Sequence, residues 1–122
     1  MKFKFEKLII WQKAMDFGEV LFHETHKFPK GELFNLVTQL RRASDSIALN
    51  IAEGATGQSN PEFYRFMGYA MRSLAEVVTC LHKAYRRGYI TTEEFENNYN
   101  ESYNMMNMMA SFRSKLKNKN SS

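Results

Sequence analysis

The chain of 122 residues reads as an all-α protein, an antiparallel up-down-up-down four-helix bundle, on three observations. Only two prolines, Pro29 and Pro61, interrupt it, so long segments run without a breaker. Within those segments apolar residues recur at the three- and four-residue spacing of a helix face. The links between them are short and polar, which makes successive helices antiparallel neighbours. A single domain over 1–122 of this length buries a sufficient core without disulfide staples.

The first helix is expected over about 6–27. Leu8, Trp11, Met15 and Phe22 form one apolar line along it, and Ile10, Ala14, Phe17 and Leu21 form another. An amphipathic helix on a core needs one stripe of about 100°. Two stripes imply burial on two sides, the bundle core and a candidate subunit interface. Phe28 and Pro29 break this helix, and Lys30, Gly31 and Glu32 make the turn.

The second helix is expected over 32–54, with Leu33, Leu36, Val37, Leu40, Ala43, Ser44, Ile47 and Ile51 as its core line and Gly54 as its C-terminal stop. The third spans 60–87. Ser59 or Asn60 caps it, Pro61 fits its first turn, and Glu62 stands three after Ser59 as in a capping box. Phe63, Phe66, Met67, Ala70, Leu74, Val77, Val78, Leu81 and Ala84 lead to the stop at Gly88. The fourth spans 92–117 and opens on Thr91, Thr92, Glu93 and Glu94. Its apolar set is Phe95, Tyr99, Tyr103, Met106, Met109, Ala110, Phe112 and Leu116, and its methionine run reads as adaptable core or interface filling.

Composition narrows function. The single Cys80 excludes an intramolecular disulfide and a cysteine-rich zinc site, and its helical context reads as a small buried hydrophobe. No apolar run approaches the roughly 20 residues of a membrane span, and the N-terminus lacks a small-residue cleavage site. A soluble cytoplasmic protein with no membrane partner is expected. The net charge of +4 and pI near 9.2 lean toward polyanions. The antiparallel topology gathers Lys2, Lys4, Lys7, Arg65, Arg113, Lys115, Lys117 and Lys119 at one end, against Glu6, Glu53 and Glu62. Helix-dipole matching with solvated termini accounts for that end, and so does a phosphate-binding surface.

Along the second helix a polar line of Gln39, Arg42, Ser46, Asn50 and Glu53 recurs about once per turn. With the following link centred near Ser59, Arg42 faces the Glu76 region and Glu53 the Arg65 region. The expected role is register. Two charge pairs pin the seam, while Ser46 and Asn50 allow close approach and supply hydrogen bonds.

Gln39, Leu40, Arg41, Arg42 and Ala43, then Ser46 and Ile47, then Asn50, Ile51, Ala52, Glu53 and Gly54 resemble the signature of a bacterial family, the four-helix-bundle proteins encoded in intervening sequences of 23S ribosomal RNA genes. Trp11, Gln12, Lys13 and Ala14, Phe28 and Pro29, Glu62, Phe63, Arg65 and Phe66, and Ala70, Ser73, Leu74 and Glu76 extend the resemblance over nearly the whole chain up to the fourth helix. The resemblance implies a left-handed bundle assembled into a homopentameric ring. The family is also similar to the accessory variability determinant of diversity-generating retroelements, which binds nucleic acid and works with a reverse transcriptase. One departure stands out: the family usually has Gly where this chain has Arg72. Either a close helix contact is lost there, or Arg72 turns outward and joins the basic surface.

Enzymatic readings fare worse. A ferritin-like site needs Glu-x-x-His pairs on two helices, and none is present. Glu19, His23 and His26 share a face able to take one stray metal ion. Cys80 has only His82 nearby, which points to a different side. The sequence therefore supports a non-enzymatic helical bundle with no cofactor, partnered by itself and by RNA or DNA backbones, and with no aromatic-basic stacking pattern in the sequence no base specificity is expected. A nucleic-acid-processing protein is a further candidate partner. The alternative is a protein–protein scaffold with incidental basic charge.

Overall fold

The computed structural model of the chain describes residues 2–121, with side chains described through Lys117. Its four long helices are α1 (Ile9–Glu24), α2 (Thr38–Thr56), α3 (Asn60–Arg86) and α4 (Thr92–Ser121), and there is no strand among the described residues. Short 3₁₀ turns flank α1 at Lys4–Lys7 and Thr25–Lys27, and Lys30–Glu32 and a wide π-type turn, Leu33–Val37, lead into α2. Cross-helix contacts step down one chain as they step up the next. Gly18 meets Ser44 and Thr25 meets Arg41, Gly54 meets Phe63 and Ser46 meets Ser73, and Gly68 meets Arg113 and His82 meets Phe95, so neighbouring helices are antiparallel.

The core is one cluster in which Leu21, Leu36, Leu40, Ile47, Ile51, Met67, Leu74, Leu81, Met105 and Met109 are almost fully buried. On α1 the Ile10, Ala14, Phe17 and Leu21 line enters it, whereas Met15 and Phe22 on the other line stay exposed. Cys80 is a buried thiol, and burial first of all pushes its pKa up. No helix among the described residues is long and apolar enough to cross a membrane.

The expected helix starts at Ser59 and Thr91 hold. The Glu62 N–H donates to Ser59 Oγ at 3.2 Å, and Glu94 N–H and Thr91 Oγ1 bond at 3.1 Å while Thr91 N–H returns to Glu94 Oε1 at 2.8 Å. Gly88 ends the α3 side with φ of 77°, a conformation open to glycine without strain.

Four expectations are corrected. α1 begins at Ile9 rather than near Glu6, because Leu8 is extended and the Gln12 amide donates back to the Glu6 carbonyl at 2.7 Å, holding the preceding turn apart. Gly54 does not stop α2, which continues to Thr56; it is a buried close-approach residue, where a Cβ would stand 2.7 Å from the Phe63 ring and 2.9 Å from Phe66 Cβ. Leu33 is exposed, because the wide turn shifts the phase of the helix and the core line starts at Leu36. On α4 the inward line is Asn98, Ser102, Met105, Met109 and Leu116, with Tyr103 left 61% exposed. Ser102 satisfies its buried hydroxyl on the Asn98 carbonyl at 2.8 Å, which is how polar residues occupy that line.

The two register-setting charge pairs do not form. Arg42, Glu53, Arg65 and Glu76 are all exposed, and no ion pair joins them among the described residues. Uncharged groups close the α2–α3 seam instead. Ser73 Oγ donates to Ser46 Oγ across the seam at 2.8 Å, and within α2 the Asn50 amide donates to the Ser46 hydroxyl and carbonyl at 2.9 and 2.8 Å, holding that hydroxyl in place. Neighbouring Arg41, not Arg42, is engaged: its Nε donates to Thr25 Oγ1 at 2.9 Å and its guanidinium lies 4.3 Å from the Phe22 ring centroid.

The opposite end of the bundle carries a clasp. Glu32 accepts from Arg87 Nη1 at 2.9 Å, from the Tyr89 hydroxyl at 2.6 Å and from the Asn35 amide at 2.9 Å. The Tyr89 hydrogen bond, then Asn35 and the Arg87 charge, outweigh desolvation and hold the Glu32 carboxyl below its ordinary pKa. The same bond raises that of Tyr89. Lys27 pairs nearby with Glu24 and Glu94.

Candidate nucleic-acid interface

The residues expected to meet phosphate fall into two groups. Arg65, Arg72 and Arg113 line one groove between α3 and α4, together with Gly68, Tyr69, Met71, Ala75 and Met106. Its volume is about 580 Å³ and no carboxylate lines it. Arg65 and Arg72 are exposed and stand two helical turns apart on α3, so both project to the α4 side. Arg72 has therefore turned outward, the second of the two outcomes its departure from the family pattern allowed.

Arg113 crosses from α4 and is the fixed member. Its Nε donates to the Tyr64 carbonyl at 3.0 Å, and Cζ sits 3.8 Å from the Tyr64 ring centroid. This is stacking at contact distance, which holds the guanidinium plane while leaving other donors available. Gly68 makes the crossing possible, since a Cβ there would stand 2.7 Å from an Arg113 terminal nitrogen. The carbonyl bond takes one of five guanidinium donors. Arg65 lies 5.6 Å from the Phe66 ring centroid, and Phe66 meets Tyr69 edge-on at 5.5 Å, so aromatic rings shoulder the groove.

Lys7 and Lys115 form the second group and line a separate groove between the start of α1 and the end of α4. Ile9, Met108 and Phe112 line it with them. Lys2 and Lys4 are exposed at and before the flanking turn, and Lys117 is exposed two residues beyond Lys115. The Lys119 side chain lies outside the described residues. Tyr64, Gly68 and Tyr69 were absent from the sequence expectations; an isolated glycine inside the otherwise apolar α3 pattern was the available signal.

Other candidate chemistry does not assemble. His23 and His26 stack at 6.0 Å on the exposed flank of α1, beside Phe22. Among the described residues no group of three or more His, Cys, Asp and Glu side chains is placed to hold a metal ion. Ser46 is spent on the α2–α3 seam, and Asn50 on Ser46 within α2.

No curated protein matches this chain. A solved protein of unknown function from the S23 ribosomal protein family of Bacteroides thetaiotaomicron shares its fold, with a TM-score of 0.80 at 23% identity, covering 87% of this chain and 96% of that one. The family model described as 23S rRNA-intervening sequence protein matches residues 6–111. The chain belongs to the 23S rRNA-intervening sequence protein family.

Proposed function

We propose that this protein is a non-enzymatic, homo-oligomeric bundle of the cytoplasm that binds the phosphate backbone of RNA or DNA. The observation that carries the reading is the groove of Arg65, Arg72 and Arg113, three guanidinium groups with no lining carboxylate. Guanidinium forks match phosphate oxygens, and stacked Arg113 is oriented before any ligand arrives. Such contacts position a backbone and carry no base readout, so recognition rests on charge and shape. Lys2, Lys4, Lys7, Lys115 and Lys117 extend the field at the same end. A homopentameric ring, implied by the family resemblance, would repeat the groove around an axis and multiply weak contacts. A nucleic-acid-processing protein is the further partner this reading suggests.

Fluorescence anisotropy with labelled single- and double-stranded RNA and DNA, over a salt series, tests the proposal. Binding is expected at low salt, with an affinity that falls steeply as salt rises. Replacing both Arg65 and Arg72 by Glu should weaken it at least about tenfold and flatten the salt slope by roughly two contacts' worth, without unfolding the bundle. Reversing Lys115, Lys117 and Lys119 should act in the same direction. No binding to any nucleic acid at low salt would sink the proposal and leave the scaffold reading, for which the apolar outer flank of α1 speaks.

A further inference from the structure

The outer flank of α1 and the turn before α2 carry complementary features that the chain does not bring together. Between α1 and α2 lies an open groove of about 710 Å³ walled by Phe5, Trp11, Met15, Phe22 and Leu49. Leu49 is 62% exposed, and Met15 and Phe22 are also exposed. Its floor is shallow because α1 and α2 approach closely where Gly18 sits on Ser44. Aromatic and methionine walls of this kind are left to water at a cost that soluble surfaces seldom carry.

Phe34 is the counterpart. It is 91% exposed, and it lines no part of its own groove. It is not a loose side chain on a loop. Phe34 has φ −96° and ψ 16° inside the wide Leu33–Val37 turn. That turn is braced on both sides: Thr38 Oγ1 donates to the Leu33 carbonyl at 2.6 Å, and the Asn35 amide donates to Glu32 at 2.9 Å. The non-helical dihedrals of Phe34 mark a kink between two helical segments, and the kink presents an aromatic ring to solvent.

Charge matches as well. Glu19 and Asp45 rim the groove, and neither forms an ion pair among the described residues. Lys30, one turn before Phe34, is exposed and likewise makes no ion pair among the described residues.

The geometry points to a second copy of this chain as the occupant: Phe34 of one subunit inserts into the α1–α2 groove of the next, with Lys30 meeting Glu19 and Asp45. In the proposed contact each subunit gives its knob to one neighbour and takes another neighbour's knob in its groove, which makes it heterologous. Repeated around a closing rotation, such contacts build a ring rather than a two-fold dimer. This inference rests on the homo-oligomeric reading above and specifies its interface.

Light scattering coupled to size exclusion tests both and separates them. The unaltered chain should have a mass several times the 14.3 kDa of one subunit. Phe34→Asp and Leu49→Arg should each lower association at least about 30-fold and run as folded single chains with unchanged helical circular dichroism. Mixing the two variants then tests whether Phe34 and the groove are partners. Phe34→Asp keeps an intact groove and Leu49→Arg an intact knob, so one contact per pair survives and the mixture should yield a 1:1 heterodimer that grows no further. If the unaltered chain is a single subunit, the oligomeric reading itself fails. If it is oligomeric but Phe34→Asp keeps the full mass, or the mixed variants do not associate, the knob-and-groove contact is overturned while the oligomer stands.

Discussion

Two glycines border opposite sides of α3, and the space around them explains why one seam is shut and the other is a groove. Gly54 on α2 faces the Phe63 ring and Phe66 Cβ, and Gly68 on α3 faces the tip of Arg113. A Cβ at either position would stand 2.7 Å from its nearest neighbour. The neighbours differ in how they can yield. Phe63 is buried in the core and Phe66 Cβ moves only with the α3 backbone, whereas a guanidinium tip can swing on a flexible stem. Equal closeness therefore means packing at one site and adjustable recognition at the other.

Gly54→Leu gives the largest expected effect. The side chain would force α2 and α3 apart, with a loss of about 3 kcal/mol that urea denaturation can measure. The same measurement bounds the contrast, since no comparable loss is expected from changes on the groove side.

An intermediate effect is expected at the clasp, which depends on charge where the Gly54 seam depends on shape. The folded-state pKa of Glu32 is lowered, so its contribution is present above the ordinary carboxylate value and is lost as pH falls through the folded value. Thermal midpoints should fall as pH drops below the ordinary carboxylate range. Tyr89→Phe removes the largest cause of the shift, so that variant should be less stable near neutrality and lose less on acidification. An unchanged acid limb in the variant would exclude Glu32 as a source of the dependence.

Gly68→Ala is expected to alter stability least. The helix gains about 1 kcal/mol from replacing glycine, which offsets a comparable loss if Arg113 gives up its bond to the Tyr64 carbonyl. Its readout is binding. Nucleic-acid affinity should drop several-fold while the urea midpoint stays put, because only the guanidinium is displaced.

The bundle was largely legible because helix caps, turn residues and apolar period are local signals. Ser59, Pro61 and Glu62, Thr91 and Glu94, and Gly88 each encode a helix boundary within a few residues, and the α3 core line follows one phase throughout. Gly54 misled because glycine after a periodic run signals a stop, and the same residue type serves close packing inside a helix. Leu33 misled because a widened turn changes the phase without a Gly or Pro to mark it. Counting back from Ser59 placed Arg42 near Glu76 along the axis, but register says nothing of rotation, and both side chains face water. The basic residues were legible as an end of the bundle. Their division into an arginine groove and a lysine pair depends on Tyr64 and Gly68, whose meaning arises only when α4 lies against α3.

The Glu32 clasp also dates its own formation during folding. The α2–α3 seam needs only the short link after Thr56 to close, whereas Arg87 and Tyr89 reach Glu32 across 55 and 57 residues of chain. Closing a longer loop costs about 0.6 kcal/mol more for each doubling, and this closure also requires the intervening helices to be in place. By loop length the clasp is expected to close last within the hairpin of α2 and α3. A spectroscopic probe beside Tyr89 should then report the completed hairpin, and one beside Ser73 an earlier stage of it.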